Sequence, residues 1–393
     1  MTLYLNNLGL LCAAGNSRAE ILKRLLAGER SGLIETDQFS IGRKIFVGRI
    51  DCELPQVDQN FSYYNCRNNQ LLLAALSQIS GTVNKMINKF GTNRIGVVLG
   101  TSTSGVRSTE SALAYQAKNA ILPDQFHYKQ QQMGAGADFL AAYLGINGPA
   151  YTISTACSSS GKAFASARRL INLGICEAVI VGGADSLCSL TVNGFAALES
   201  LSTGLCKPFG SHRDGINIGE AASLFVLSKE PGPVKLQGIG ATSDAYHFSA
   251  PDPEGNAVIR AMQIALHEAD KTPEQIDYLN LHGTATVLND AMESKAVNTV
   301  FGTQLAASSS KGMTGHALGA AAALELGFCW LLLTHQNEQG ALIPNINGDE
   351  PDTELPPLNL VENNQKLGRR LTTCQSNSFA FGGNNISIVI ARA

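Results

Sequence analysis

The chain has 393 residues, of which 44% are hydrophobic and 16% charged, and it contains 39 glycines. This length and balance indicate a globular protein with room for two domains or two halves of one fused core. The net charge of −3 gives no general reason to expect nucleic acid as a partner.

The cysteines and the apolar segments indicate the compartment. Nine cysteines are scattered along the chain, and none forms a Cys-x-x-Cys pair, so the spacing predicts neither a disulfide framework nor a zinc site. The first residues, MTLYLNNLGLLCAAG, contain two asparagines and no basic region, which argues against a signal peptide. The densest apolar run, Leu324 to Leu333, includes Glu325 and is about half as long as a membrane-spanning helix. We therefore expect a cytoplasmic protein that contacts no membrane.

Short β-branched segments alternate with alanine-rich helical segments, a pattern typical of α/β proteins. In chain order the sequence predicts helices over 19–27 and 70–89, strands over 94–99 and 151–155, a helix over 161–173, strands over 178–181, 223–227 and 234–240, a helix over 254–269, a strand over 278–282, helices over 289–301 and 319–335, and a strand over 385–391.

The clearest internal boundary is the segment SKEPGPV at 228–234, which holds two prolines and a glycine. On its N-terminal side a strand, a turn of small residues and a helix follow one another around Cys157. On its C-terminal side a strand, a His-Gly-Thr turn and a helix surround His282. The sequence therefore predicts two related halves, 1–230 with Cys157 and 231–393 with His282 and His316.

Cys157 lies between a predicted strand and a predicted helix, in Ser154-Thr-Ala-Cys-Ser-Ser-Ser-Gly-Lys162. The positive end of a helix and its free N–H groups lower a thiol pKa toward about 3.5–7.5, which predicts a reactive thiolate. The alternative is an ordinary buried thiol. The segment alone does not decide between them, because a nucleophile also needs an acid or base partner from elsewhere.

Two of the seven histidines lie in polar turns. His282 ends a predicted strand, at the edge of the sheet where α/β sites usually lie. His316 lies in a glycine-rich loop, with Lys311 five residues before it and Glu325 nine residues after it. A cation and a carboxylate that pair near His316 would fix its tautomer and orientation. The alternatives are histidines that pack or cap strands and a purely structural ion pair.

Four motifs, in this order, resemble the signature of β-ketoacyl-acyl-carrier-protein synthases, the ketosynthases of the thiolase fold. They are Thr155-Ala-Cys-Ser-Ser159, His282-Gly-Thr-Ala-Thr286, Lys311-x-x-x-Gly-His316 and Asn377-Ser-Phe-Ala-Phe-Gly-Gly-Asn384. Further similar segments extend over nearly the whole chain. The resemblance implies an α/β, five-layered αβαβα fold built from two similar halves, usually an obligate dimer with the cysteine near the interface.

The resemblance also implies the chemistry. Cys157 would take an acyl group from the phosphopantetheine arm of an acyl carrier protein, with no tightly bound cofactor and no metal. The N–H groups of Cys157 and Phe381 would form the oxyanion hole. His282 and His316 would donate to the thioester oxygen of malonyl carrier as it loses CO2. The remaining implied roles are support of the second histidine by Lys311 and Glu325, contact with the pantetheine arm by Thr284 and Thr286, and an acyl-pocket gate formed by Phe195 and Phe381.

Three departures favour a specialised enzyme of an aryl-polyene or type II polyketide system over the fatty-acid enzyme. Asn384 stands where the family commonly has threonine, and the chain is shorter than usual. The segment 60–69 offers only Arg67 where the fatty-acid enzymes place several cations for the acidic carrier, so Lys118, Lys129 or a partner chain would dock it. The protein would be a homodimer, or the active member of a heterodimer with a homologue resembling a chain-length factor.

Other interpretations of the same residues remain open. A thiolase would carry a second catalytic cysteine near the end, but Cys374 precedes Asn377-Ser-Phe and lies in no such motif. A chain-length-determining partner subunit would not need Cys157 and both histidines. A cysteine hydrolase would leave the second histidine and Lys311 unexplained. A non-elongating acyltransferase of the same fold is the remaining alternative.

Overall fold

The computed structural model describes residues 2–335, 337–348 and 350–393. Its strands are β1 (Leu3–Cys12), β2 (Leu33–Thr36), β3 (Ile45–Gly48), β4 (Ile95–Gly100), β5 (Ala150–Ile153), β6 (Ala178–Asp185), β7 (Ile218–Gly219), β8 (Ala221–Ser228), β9 (Val234–Ser243), β10 (Tyr278–Asn280), β11 (Ala306–Ser308), β12 (Asn359–Leu360), β13 (Thr373–Ala380) and β14 (Asn384–Arg392). Its α-helices are α1 (Arg18–Leu26), α2 (Arg67–Ser77), α3 (Ser80–Phe90), α4 (Val106–Asn119), α5 (Ala135–Leu144), α6 (Ser159–Asn172), α7 (Ser189–Ala197), α8 (Asn256–Glu268), α9 (Val287–Phe301), α10 (Lys311–Thr314) and α11 (Ala321–Thr334).

Eleven strands follow one another in the order β12-β11-β10-β13-β14-β9-β1-β8-β6-β4-β5. Apart from the two-residue β12, this sheet contains five strands from the chain up to β8 and five strands from β9 onward. When each set is numbered from 1 to 5 along the chain, both sets read 3-2-4-5-1 from their outer edge. They also share one pairing pattern, two parallel ladders followed by two antiparallel ones. The two sets meet where Leu3–Leu5 of β1 pair with β9. The predicted fold of two similar halves is confirmed.

Two helices lie in the middle of the molecule. Helix α6 packs on β4 and β6, α11 packs on β13 and β8, and the two helices contact each other. Helix α11 is buried on every side from Ala321 to Leu333, as expected for a helix enclosed between two sheets. Helices α2 and α8 pack on β1 and β9, respectively. This arrangement is the predicted αβαβα layering.

Two glycines allow the segments around α6 and α11 to approach closely. A Cβ on Gly100, at the end of β4, would lie 2.2 Å from the backbone nitrogen of Ser160, and one on Gly319 would lie 2.7 Å from the Thr101 carbonyl carbon. No side chain fits at these distances. The ends of β4, α6 and α11 are therefore held together at one place.

The structure differs from the sequence predictions in two elements that matter here. The single helix predicted over 70–89 is wrong, because α2 and α3 are separated at Ile79, whose φ and ψ are −119° and 4°. There the Gln78 side chain donates to the Leu10 carbonyl at 2.9 Å. The strand predicted over 278–282 ends at Asn280, so His282 lies in the following loop. Every helix in the described part of the chain is too short or too polar to cross a bilayer.

Candidate active site

Cys157 lies in a tight turn between β5 and α6. Ala156, just before it, has a φ of +51°, a left-handed conformation that is costly for a residue with a Cβ. The Ser159 hydroxyl stabilises the turn: it accepts from the Thr155 N–H at 2.9 Å and donates to the Ala156 carbonyl at 2.5 Å. The turn places Cys157 at the N-terminus of α6, where the sequence predicts it.

The three predicted reactive side chains meet. His316 Nε2 lies 3.0 Å from Cys157 Sγ, and the rings of His282 and His316 have centroids 5.4 Å apart at 81°. Their exposed fractions are 6% for Cys157 and 1% for each histidine. They line a cavity of about 290 Å³. The turn of one half and two loops of the other therefore form one enclosed cluster.

The ion pair of Lys311 and Glu325 contacts His282, whereas the sequence predicts that it supports His316. Lys311 Nζ lies 2.5 Å from Glu325 Oε1, donates to the His282 carbonyl, and lies 3.5 Å from His282 Nδ1. The sequence predicts the pair near His316. The structure adds direct contacts to the His282 loop, while the Lys311 charge also acts on His316. A cation beside Nδ1 disfavours a proton there, so we assign the hydrogen of His282 to Nε2.

Burial sets the protonation of the cluster. It raises the pKa of Cys157 to about 12, against the lowering effect of the Lys311 ammonium. It lowers the pKa of both imidazoles well below 6.5, and Lys311 adds to that lowering. The resting cluster is thus a thiol with two neutral imidazoles. The resting form is therefore not the expected thiolate, because the effect of burial on the thiol pKa outweighs that of Lys311, whereas the neutral histidines are as predicted.

Two acidic residues of α9 that the sequence reasoning missed hold the His282 loop. Glu293 accepts the backbone N–H of His282 and that of Gly283, both at 2.7 Å, and Asp290 accepts from Ala285 at 3.2 Å. Burial raises the pKa of Glu293 to about 7 and that of Asp290 to about 6. Acidic residues in the first turns of a helix directly after the His-Gly-Thr motif were the available signal.

Asp185, also missed, joins the His316 turn to the end of β4. Its Oδ2 accepts the Ala320 N–H at 3.0 Å, and its Oδ1 accepts from Thr101 Oγ1 at 2.6 Å and from the Ser102 N–H at 2.8 Å. His316 itself donates its N–H to the Asn217 carbonyl at 2.7 Å. Within the described residues its Nδ1 has no partner, and its Nε2 contacts only the Cys157 sulfur among the hydrogen bonds of that part of the chain.

The remaining predicted residues line the same cavity. Phe195 and Phe381 are in contact, with ring centroids 5.5 Å apart, and Thr284 and Thr286 share a 3.0 Å hydrogen bond. All four line the cavity. Behind Phe381, the Asp244 N–H donates to the Gly383 carbonyl at 2.9 Å. Asp244 therefore helps to hold the turn that precedes Asn384, together with Phe248, whose carbonyl accepts the Gly382 N–H at 2.8 Å.

A buried thiol on a strand-to-helix turn, beside two neutral imidazoles and within a doubled α/β fold, defines a thiolase-fold acyltransferase. Residues 68–231 match the family described as beta-ketoacyl synthase, N-terminal domain, and residues 234–348 match its C-terminal domain. The chain belongs to the β-ketoacyl synthase family, and it is a condensing enzyme that forms a β-ketoacyl product by Claisen chemistry.

The chain is similar to several known proteins over its whole length. It is 31% identical to the 3-oxoacyl-[acyl-carrier-protein] synthase 2 of Vibrio cholerae, over 98% of this chain and 97% of the relative. It is 30% identical to nodulation protein E of Rhizobium leguminosarum bv. trifolii, over 97% and 96%. Among solved structures it resembles the ketosynthase ApeO, in complex with its chain length factor ApeC, from Xenorhabdus doucetiae, with 45% identity, a TM-score of 0.94, and coverage of 100% and 98%.

Proposed function

We propose that this chain is the catalytic ketosynthase of a type II polyketide system of the aryl-polyene kind, and that it extends an acyl group on Cys157 with malonyl-acyl-carrier protein. The observation that carries the proposal is the 3.0 Å contact between Cys157 Sγ and His316 Nε2, with His282 beside it in the same buried cluster. The similarity to a ketosynthase solved with its chain length factor supports the choice of system.

In the acylation step the Cys157 sulfur attacks the thioester carbonyl of the acyl carrier. His316 Nε2 accepts the thiol proton and returns it to the departing pantetheine sulfur, so charge is balanced at every stage. The N–H groups of Cys157 and Phe381 stabilise the oxyanion. Thr284 and Thr286 contact the pantetheine arm, and Phe195 and Phe381 gate the acyl pocket.

In the condensation step malonyl carrier loses CO2, and the enolate carbon attacks the acyl group on Cys157. The Cys157 sulfur leaves as a thiolate and takes up one proton from water, which restores the resting thiol. His282 donates from Nε2 to the enolate oxygen, and Lys311, paired with Glu325, keeps Nδ1 unprotonated. His316 becomes the second donor once the hydrogen that it retains on Nδ1 after acylation has moved to Nε2. Each donor of this kind contributes about 10²–10³ in rate.

The partners follow from the same proposal. The substrates arrive on the phosphopantetheine of a carrier protein, with no tightly bound cofactor, and the chain pairs in the cytoplasm with a homologue resembling a chain-length factor. Arg67 is bound to Glu220 by contacts of 2.6 and 2.8 Å. We therefore assign carrier docking to other cations, such as Lys118 or Lys129. The ends of the two family matches, at 231 and 234, support a division into 1–230 and 231–393.

The test is to incubate the purified chain, with and without a co-expressed chain-length-factor homologue, with a panel of acyl carriers and to weigh the intact protein. We expect one acyl adduct on the wild type and none on Cys157→Ala. Cys188→Ala, a second buried thiol, is the control that keeps the adduct. An adduct that persists on Cys157→Ala would refute the nucleophile. Adducts without β-keto products on addition of malonyl carrier would refute elongation.

A further inference from the structure

We propose that Cys157, His282 and His316 form a zinc site, and that Zn²⁺ reversibly blocks the cluster. A donor atom from each of these three residues lies within 4.8 Å of the other two, and all three side chains are buried. One thiolate and two imidazoles are a ligand set that zinc prefers. The cysteine spacing cannot reveal this set, because its members come from three separate loops.

The geometry is close to that of a three-ligand zinc centre. Tetrahedral zinc holds a sulfur and a nitrogen ligand roughly 3.5 Å apart, so the 3.0 Å contact between Cys157 Sγ and His316 Nε2 has to open by about half an ångström. His282 Nδ1 faces Lys311, so Nε2 is the nitrogen available to the metal, once the hydrogen that it carries in the resting cluster has moved to Nδ1. The cavity in front of the cluster provides room for a water molecule as the fourth ligand.

Binding exchanges a proton for the metal. The S–H bond of Cys157 breaks, an S–Zn bond forms, and the proton leaves to the buffer. The hydrogen of His282 moves through water from Nε2 to Nδ1, so that each of the two imidazoles contributes the lone pair of its Nε2. The metal-bound sulfur cannot attack a thioester, and neither histidine can exchange protons. Zinc would therefore inhibit both the acylation and the decarboxylation steps.

Lys311 limits the affinity. Its ammonium lies 3.5 Å from His282 Nδ1 and repels a dication on the opposite side of the ring. Glu325 pairs with this ammonium at 2.5 Å. The double variant Lys311→Met/Glu325→Gln removes both charges and keeps similar side-chain volumes. We expect it to bind Zn²⁺ at least tenfold more tightly than the wild type.

The test uses the purified apo protein and Co²⁺ as a spectroscopic substitute for Zn²⁺. We expect a thiolate-to-cobalt charge-transfer band in the wild type that one equivalent of Zn²⁺ removes, and Zn²⁺ protection of Cys157 from alkylation by iodoacetamide, read by peptide mass spectrometry. Cys157→Ala should lose the band. Cys52→Ala, which removes a half-exposed thiol lining another cavity, should keep it.

The inhibitory effect of zinc rests on the condensing function proposed above, but the zinc site and that function can be refuted separately. A band that persists in Cys157→Ala, or alkylation of Cys157 that 100-fold excess Zn²⁺ does not slow, overturns the zinc site. Neither result bears on the acyl adduct, which is measured with chelator present. Zinc binding without inhibition of acyl transfer overturns the blocking role alone.

Discussion

Glu293→Gln should impair the decarboxylation half of the reaction and leave the acylation half nearly intact. The Glu293 carboxylate accepts two backbone N–H groups of the His282 loop at 2.7 Å. A glutamine keeps one acceptor and turns an NH2 group toward the other N–H. The loop loses one hydrogen bond to a charged group, worth about 1.5–3 kcal/mol. The Sγ–Nε2 contact of Cys157 and His316 involves neither group.

If all of that loss falls on the positioning of His282, decarboxylation slows by roughly 10–100-fold, at 1.36 kcal/mol per factor of ten. We would measure CO2 release from malonyl carrier at pH 8 in a Cys157→Gln background, with and without Glu293→Gln. We expect Cys157→Gln to keep decarboxylation and to lose condensation, because both histidines remain. Acyl transfer to Cys157 would be followed by mass in the single variant. Ser294→Ala is the matched control, since its buried hydroxyl has no partner in the described structure. Equal losses in both half-reactions, or none in either, would refute the assignment.

Three further predictions concern the same cluster. His282→Ala and His316→Ala should each lower CO2 release in the Cys157→Gln background by about 10²–10³-fold, and unchanged release would exclude them as donors. Burial raises the pKa of Glu293 from 4.5 to about 7, so its contribution to stability is present below pH 4.5 and lost as the pH rises to about 7. Urea unfolding should therefore show the wild type losing up to ~3 kcal/mol relative to Glu293→Gln over that window, and a flat difference would contradict the buried charge. Asp185→Asn should cost about 1.5–3 kcal/mol in the same assay and slow acylation, because its amide faces donors on both sides; full stability with normal acylation would show that Asp185 does not hold the His316 turn.

The sequence predicts well what local patterns encode. Cys157, His282 and His316 each lie in a turn with a distinctive sequence of small, polar or glycine residues. The family resemblance assigns all three to one site, and the structure brings them together. Strand β1 escapes prediction because a register shift between Leu5 and Asn7 breaks its alternation. Strand β13 escapes because its interior is polar. Gln375 donates to the Ser387 hydroxyl of β14, which donates in turn to Asn377, and this partner is visible only in the folded sheet.

The electrostatics of the site are the part that spacing cannot supply. Lys311 is five residues from His316 in sequence, yet its side chain reaches the His282 carbonyl, because the approach of two loops is a tertiary property. The sequence also places Cys157 correctly at a helix N-terminus. It does not reveal how completely the surrounding loops exclude water, and that exclusion determines the pKa of the thiol.

Strand β1 has a consequence for how the protein is made. Its Tyr4 pairs with Ser228 of β8, so the first strand to be synthesised lacks its neighbour until about 224 more residues have been added. At 5–20 residues per second that delay is roughly 10–45 s. During translation an apolar segment, LYLNNLGLLC, therefore stays unpaired while the intervening residues are added. Production of this protein should depend on chaperones that bind early, and slowing translation should increase its aggregation.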